Sequence, residues 1–276
     1  TLGLSAGTTL FRRLTLSASF SGQEDNLAKQ QLYTTRGYVY NAMASLRISD
    51  RMNVTAMYNG YLQSQGDGTA QVNDTTEIHR VLHSFSLVPT YNLPGELFDH
   101  TISLSANYTE NRDLNKFSVG QTDVKTLALG ASYNLNVKPW ETNFTFSLSH
   151  QNTKGFNSEY SSDVASISTG RSFLKEKNLS TSATVSLNYN EVRHHSKSLS
   201  MGVDLSASYT LKKYHSFSLG ASFSQYGDVN LEKTRSTLDN RDVRLTFNYL
   251  YTFTLLQVSA KKKDKKEQKE KGSKGR

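Results

Sequence analysis

The chain has little of several residue types, and each shortage excludes a class of structure. Its 276 residues include no cysteine, 3 prolines and 1 tryptophan. Without cysteine there is no disulfide framework and no thiolate metal site. Few prolines suit long unbroken strands, because proline cannot donate to a β-ladder. The mean hydropathy is -0.56, and no stretch reaches the roughly 18 consecutive apolar residues of a transmembrane helix.

Net positive charge is also low outside the C-terminus. The net charge is +8, and residues 261–276 contribute nine basic side chains against three acidic ones, which leaves about +2 for everything before them. A basic surface for nucleic acid is therefore not expected, and neither is a nucleic-acid partner. Residues 259–276 are predicted to be a basic disordered tail, which either attracts anionic polymers and headgroups or only aids solubility.

What the chain does have is strict alternation, clearest from Leu199 to Phe223. Apolar residues at 199, 201, 203, 205, 207, 209 and 211 alternate with small polar ones, and the same pattern returns at 217, 219, 221 and 223. Successive side chains of a strand point to opposite faces, so each segment has one apolar and one polar face. A period of two predicts two strands joined by the polar link Lys212 to His215.

About thirteen such strands are predicted between residues 1 and 258, and their links alternate between short and long. The short links are expected at 11–13, 49–51, 94–99, 137–141, 175–177 and 212–215, and the long ones at 22–35, 65–76, 110–122, 151–162, 190–197 and 227–241. A regular alternation of short and long links along the chain is typical of outer-membrane barrels, which have short periplasmic turns and longer external loops.

Aromatic residues cluster towards the predicted strand ends, while Ala, Leu and Val fill the middle. Two aromatic girdles around an aliphatic band are typical of two membrane–water interfaces. We therefore predict membrane-interface roles for Tyr91, Tyr108, Tyr133, Trp140, Tyr189, Tyr209 and Tyr214. The alternative is a water-soluble barrel or sandwich with aromatic residues at its strand ends.

These patterns carry a resemblance to a known class of proteins. Leu-Ser-Ala-Ser-Tyr at 205–209, Phe-Thr-Phe-Ser-Leu-Ser at 144–149 and an aromatic-rich final strand at 247–255 are similar to bacterial outer-membrane β-barrel proteins. The resemblance is architectural and covers residues 1 to about 258. It implies an all-β transmembrane antiparallel up-and-down barrel of about 12–14 strands in the bacterial outer membrane, with long loops external and the tail periplasmic. In many such proteins an aromatic last strand ends the chain, whereas here a basic tail follows it.

The polar face of the strands is the expected lumen. It is mostly Ser, Thr and Asn with scattered charges, which predicts a passive, weakly selective pore for small solutes. The pore-lining candidates are Arg47, Ser103, Ser105, Ser147, Thr184, Asp204, Ser206, Ser218 and Arg244. The alternative is a structural or partner-binding barrel of an envelope complex, whose lumen is closed by inward-folded loops such as 23–31 and 67–74.

Catalytic and metal sites are not expected. The one cluster with catalytic residue types is His194, His195, Ser196 and Glu191. The alternation places His194 and Ser196 on the lumen side, which does not suit a lipid-facing hydrolase. No spacing in the sequence specifies a base held by a third group. His79, His83 and His215 make no metal-ligand pattern. We therefore predict no enzymatic activity, no cofactor and no metal. The expected partner is outer-membrane lipid, and envelope proteins are further candidate partners.

An odd number of strands conflicts with the even number that single-chain bacterial barrels have. A closed set of twelve, strands two to thirteen, leaves strand one as an extra segment. Alternatively, strand one has a partner in a set of fourteen, or residues 1–276 are the C-terminal part of a larger barrel. Thr1 already opens a strand-like stretch, so the chain is expected to be processed or cut from a longer one.

Overall fold

In the computed structural model the alternating segments form thirteen strands of one sheet. The structure describes residues 1–28, 30–73, 77–117, 120–173, 178–211, 214–228 and 237–252, without the side chains of 237–239; the predicted tail at 259–276 lies outside these ranges. The strands are β1 (Leu2–Leu10), β2 (Leu14–Glu24), β3 (Tyr33–Arg47), β4 (Met52–Asp67), β5 (His79–Pro94), β6 (Phe98–Asp113), β7 (Val124–Val137), β8 (Thr142–Lys154), β9 (Glu159–Phe173), β10 (Leu179–Val192), β11 (Ser196–Leu211), β12 (His215–Asp228) and β13 (Thr237–Tyr251).

Every strand pairs antiparallel with its neighbours in sequence, in the linear order β1 to β13. This confirms the predicted fold class, an all-β up-and-down antiparallel architecture of 12–14 strands. One turn of 3₁₀ helix, Lys138–Trp140, joins β7 to β8. Within the described ranges, no helix has the length and apolar character needed to cross a membrane.

The two edge strands, β1 and β13, run in the same direction because thirteen is an odd number. No backbone ladder joins them within the described residues, so the sheet is open there. All nine residues of β1 are exposed although β1 pairs with β2 along its whole length. If β1 and β13 paired directly with each other, that pair would be parallel, whereas every other pair of strands is antiparallel.

The register keeps the two faces of the sheet chemically distinct. Leu205 of β11 lies opposite Ala183 and Ala221, whereas its neighbour Ser206 lies opposite Ser182 and Gly220. The same separation holds from β1 to β13, because a pairing shift of one residue would move every side chain to the other face. One face is therefore apolar and the other polar.

No described part of the chain forms a second layer over either face of the sheet. Among the described residues Val137 is the one buried hydrophobic side chain, whereas Leu148, Leu205 and Leu219 of the apolar face are 62%, 51% and 55% exposed. A β-sandwich buries the inner faces of two packed sheets, so this arrangement is not a sandwich. The apolar face is therefore left exposed by the described part of the chain.

The links between strands differ in part from the predicted parity. On one end of the sheet they are short, and on the other the links 25–32, 68–78 and 114–123 are long as expected. Two predicted long loops, 151–162 and 190–197, are wrong. The strands continue through most of these segments, leaving only 155–158 and 193–195 as links. Paired polar side chains support the ladder there, as in the contact between His150 and Asp163 at 2.7 Å.

The strands are staggered as well as paired. A line of directly paired residues that starts at Leu10, the last residue of β1, passes through Leu14, Leu46 and Val54. Its continuation from Leu104 reaches Arg241, near the beginning of β13. The offset is about ten residues, two thirds of the length of β13. Strands must be offset in this way, and so tilted, to form a barrel.

Candidate functional site: the polar face

All nine predicted pore-lining residues lie on the polar face. The register brings most of them into two neighbouring rows, each made of residues paired directly across successive strands. The first row is Arg47, Asn53, Thr90, Ser103, Ser132, Ser147, Ser166, Ser186, Gly202, Ser224 and Asp242. The second is Asn92, Thr101, Asn134, Thr145, Ser168, Thr184, Asp204, Ser222 and Arg244. Because the strands are staggered, the rows climb along the sheet and do not form level rings.

Short side chains of this face bond to one another across the strands. The hydroxyl oxygens of Ser182 and Ser206 are 2.7 Å apart, and those of Ser147 and Ser166 are 2.6 Å apart. Asn41 donates to Ser19 at 3.2 Å. Such bonds hold the side chains close to the sheet, so the face stays polar without projecting far from it.

The few charges on this face are spread out. Arg47 ends β3 and pairs with Asp50 in the adjacent turn at 3.0 Å, so its charge lies at the rim. Arg244 lies 3.5 Å from Asp242 on its own strand. Asp204 and Arg244 share one row with Ser222 between them and border a depression of ≈ 290 Å³. Because Arg47 and Arg244 each lie close to an aspartate, their charges are balanced locally.

The predicted interface aromatics lie on the apolar face or in the turns. Tyr91, Tyr108, Tyr133, Tyr189 and Tyr209 lie on strands with the apolar parity, Trp140 ends the 3₁₀ turn, and Tyr214 lies in the link before β12. A phenol on an apolar face needs a polar partner for its hydroxyl. Histidine Nδ1 atoms supply one at 2.7 Å for Tyr58, Tyr133 and Tyr249, namely those of His83, His100 and His215.

The histidine cluster considered for catalysis is not assembled. His194 lies in the three-residue turn after β10 with φ 64°, and both His194 and His195 are exposed. In the part of the chain that the structure describes, neither side chain is hydrogen-bonded or ion-paired to a serine or a carboxylate. The same residues contain no group of three or more potential metal ligands. The absence of enzymatic activity stays a prediction.

An ionic cluster on the apolar side of the sheet was not predicted from the sequence. The cluster lies past the aliphatic band, towards the end of the sheet that carries the long links. In it Glu110 contacts Lys125 at 3.1 Å and Arg112 at 3.7 Å. The next carboxylate, Glu159, contacts Arg193 at 2.6 Å and Lys154 at 3.0 Å. Hydrogen bonds from Arg193, Lys154 and Asn152 lower the pKa of Glu159, at the first position of β9, to about 2. The charged residues at 154 and 159 indicated a loop, although both continue the alternation of β8 and β9 on the apolar side of the sheet.

The long links at this end are ordered by buried polar side chains. Asn26 donates to the Thr34 hydroxyl at 3.1 Å, and Thr34 donates to the Asp67 carbonyl at 2.9 Å. The loop segments 31–32 and 69–70 then bond to each other through their backbones. The links nevertheless expose apolar side chains, since Leu27, Phe117 and Phe156 are 81%, 72% and 64% exposed.

Comparisons with known proteins add a distant likeness. No protein-family model matches the chain, and a search of curated proteins finds no match. Among solved structures, the trimer form of OmpT, an outer membrane protein of Vibrio cholerae folded in vitro, has a TM-score of 0.40 and 7% identity, covering 91% of this chain and 100% of that one. A second OmpT structure gives a TM-score of 0.39 and 7% identity over 90% and 97%. A likeness this distant carries no argument about the chain's activity.

Proposed function

We propose that the chain forms a β-barrel in the bacterial outer membrane and acts as a passive, weakly selective pore for small solutes. The observation that carries the proposal is the single-layer sheet, whose apolar face is uncovered and whose opposite face is lined by Ser, Thr and Asn on successive strands. Lipid is the partner that an uncovered apolar face of this size fits. Twelve or more strands enclose a wider space than the eight whose side chains just fill a barrel.

Conductance of the purified protein in planar bilayers tests the proposal. Ser206→Arg and Ser218→Arg add a cation to the polar face, so each should lower conductance and shift selectivity towards anions. Ser161→Arg is the matched control, because Ser161 has the apolar parity and lies opposite Glu191, beyond the aliphatic band. Unchanged conductance in both polar-face variants would contradict the assignment of that face to the lumen.

A structural or partner-binding barrel is the second candidate, and the exposed Leu27, Phe117 and Phe156 in the links favour it. Apolar side chains on ordered loops are typical of interaction sites. If the folded barrel conducts no ions, even after residues 68–76 are deleted, the function belongs to this class. Deletion of the loop separates a plugged pore, which would then conduct, from a barrel that has no pore.

A further inference from the structure

We propose that the apolar face carries a binding site for one lipid with an anionic phosphorylated headgroup, across strands β6 to β11. The proposal rests on the membrane location proposed above and adds a specific ligand to it. It combines a basic cluster, defined as Arg112, Lys125, Lys154 and Arg193 with Glu110 and Glu159, and an apolar groove below this cluster on the same face.

The basic cluster places its positive charges outermost. Lys125 and Lys154 lie directly opposite each other on β7 and β8, and their side chains are 54% and 61% exposed. The carboxylates of Glu110 and Glu159 lie beneath them, at 18% and 21%. Each carboxylate is shared by two cations, so half of the cluster's positive charge is not balanced within it. A phosphate group would supply the missing negative charge.

The groove lies along the same strands towards the middle of the apolar face. It has a volume of ≈ 540 Å³ and is bordered by Leu129, Ala131, Leu148, Ala165 and Leu187. Ala131 and Ala165 lie on either side of Leu148 in one row, and their short side chains make the depression. A hydrocarbon chain is the ligand that an open apolar groove of this shape fits.

Distances along the strands match the polarity of a phospholipid. From Lys154 to Leu148 is six residues, or about 20 Å at ~3.3 Å per residue. The contact between His150 and Asp163 lies between them and borders the upper end of the groove. A lipid laid along β8 therefore meets cations, then hydrogen-bonding groups, then an apolar channel, in the order of headgroup, ester region and acyl chain.

Brominated lipids give a direct test, because bromine quenches only a tryptophan that its acyl chain touches. The chain's single tryptophan allows Trp140→Phe with Leu148→Trp as a reporter in the groove, and Trp140→Phe with Leu16→Trp as a control on β2. The protein is placed in vesicles of phosphatidylcholine and phosphatidylglycerol, with one lipid brominated at a time. We expect phosphatidylglycerol to be favoured about tenfold at position 148 and not at position 16.

The charge dependence completes the test. Lys125→Gln with Lys154→Gln should abolish the preference, whereas removal of two charges at the opposite end, by Arg51→Gln with Lys138→Gln, should leave it intact. If Lys125→Gln with Lys154→Gln prevents folding, salt gives the same test in the protein with its cluster unchanged. About 1 M salt should abolish the preference for phosphatidylglycerol, because it shortens the Debye screening length to ~3 Å. Equal quenching by both lipids at position 148 overturns the lipid site alone. Absence of quenching by either lipid overturns the membrane-facing assignment as well.

Discussion

Replacement of Leu205 by arginine tests the assignment of the apolar face to lipid. Leu205 is half exposed on β11, between Ala183 and Ala221 on the neighbouring strands. If that face met water, an arginine there would be tolerated. In hydrocarbon the same side chain is costly.

The structure sets the depth of this position. On β11 the predicted interface residue Tyr209 gives one boundary of the apolar band, and Leu199, which lies opposite the predicted interface residue Tyr189, gives the other. Ten residues separate them, or about 33 Å along the strand, which becomes ~29 Å along the membrane normal at the tilt of about 30° that the strand offset gives and spans the ~25 Å apolar band of known barrels. Leu205 lies close to the centre of that band. Leu219 lies opposite Ala207, roughly 5 Å from the boundary given by Tyr209.

Arginine at the midplane costs about 2–4 kcal/mol and near an interface ~0–1 kcal/mol. We therefore expect Leu205→Arg to reduce the free energy of unfolding by about 2–4 kcal/mol, Leu219→Arg by less, and Ser206→Arg on the polar face by under ~0.5 kcal/mol. Urea titration of the protein in vesicles measures the three values. Equal losses at all three positions would refute the assignment of faces.

Three further predictions address orientation, the ionic cluster and the tyrosine–histidine contacts. A single cysteine at Asn157 should react with an impermeant reagent on intact cells and one at Glu96 should not; the reverse result would invert the topology. Glu159→Gln should lower stability at pH 6 but not at pH 2, because the stabilisation by a carboxylate with a lowered pKa is present above about pH 4.5 and is lost as the pH falls through about 2; a pH-independent difference would contradict this account. His100→Ala should destabilise the barrel by about 1 kcal/mol by leaving the Tyr133 hydroxyl without its partner, and in Tyr133→Phe the same substitution should cost less.

The strands and their faces were predictable from the sequence because a period of two is a property of the chain itself. Alternation located all thirteen strands and assigned Ser103, Asp204 and Arg244 to the polar face, where the register places them. Their role in lining a pore stays a prediction, since face and function are separate properties.

The ends of the strands were less predictable, for a physical reason. Where both faces turn polar, hydropathy no longer alternates, and a continuing ladder looks like a loop. Lys154 and Glu159 were assigned to a loop in this way, although they form a charge pair across β8 and β9. Their parity was the available signal: each continues the side of the strand on which the apolar residues lie.

The edges of the sheet bear on the number of strands. β1 has the same alternation as the others, with Leu2, Leu4 and Leu10 on the apolar face and Ser5 and Thr9 on the polar one, and its pairing with β2 continues both faces. A closed set of twelve would require β13 to displace this ladder from β2. A fourteenth strand between β1 and β13 would instead run antiparallel to both and give an even number. The stagger has the size that a closed barrel needs, since an offset of about ten residues over twelve steps of ~4.8 Å corresponds to a tilt of about 30°, a little below the ~35–45° of known barrels. The matching faces of β1 and the parity together favour fourteen strands over twelve.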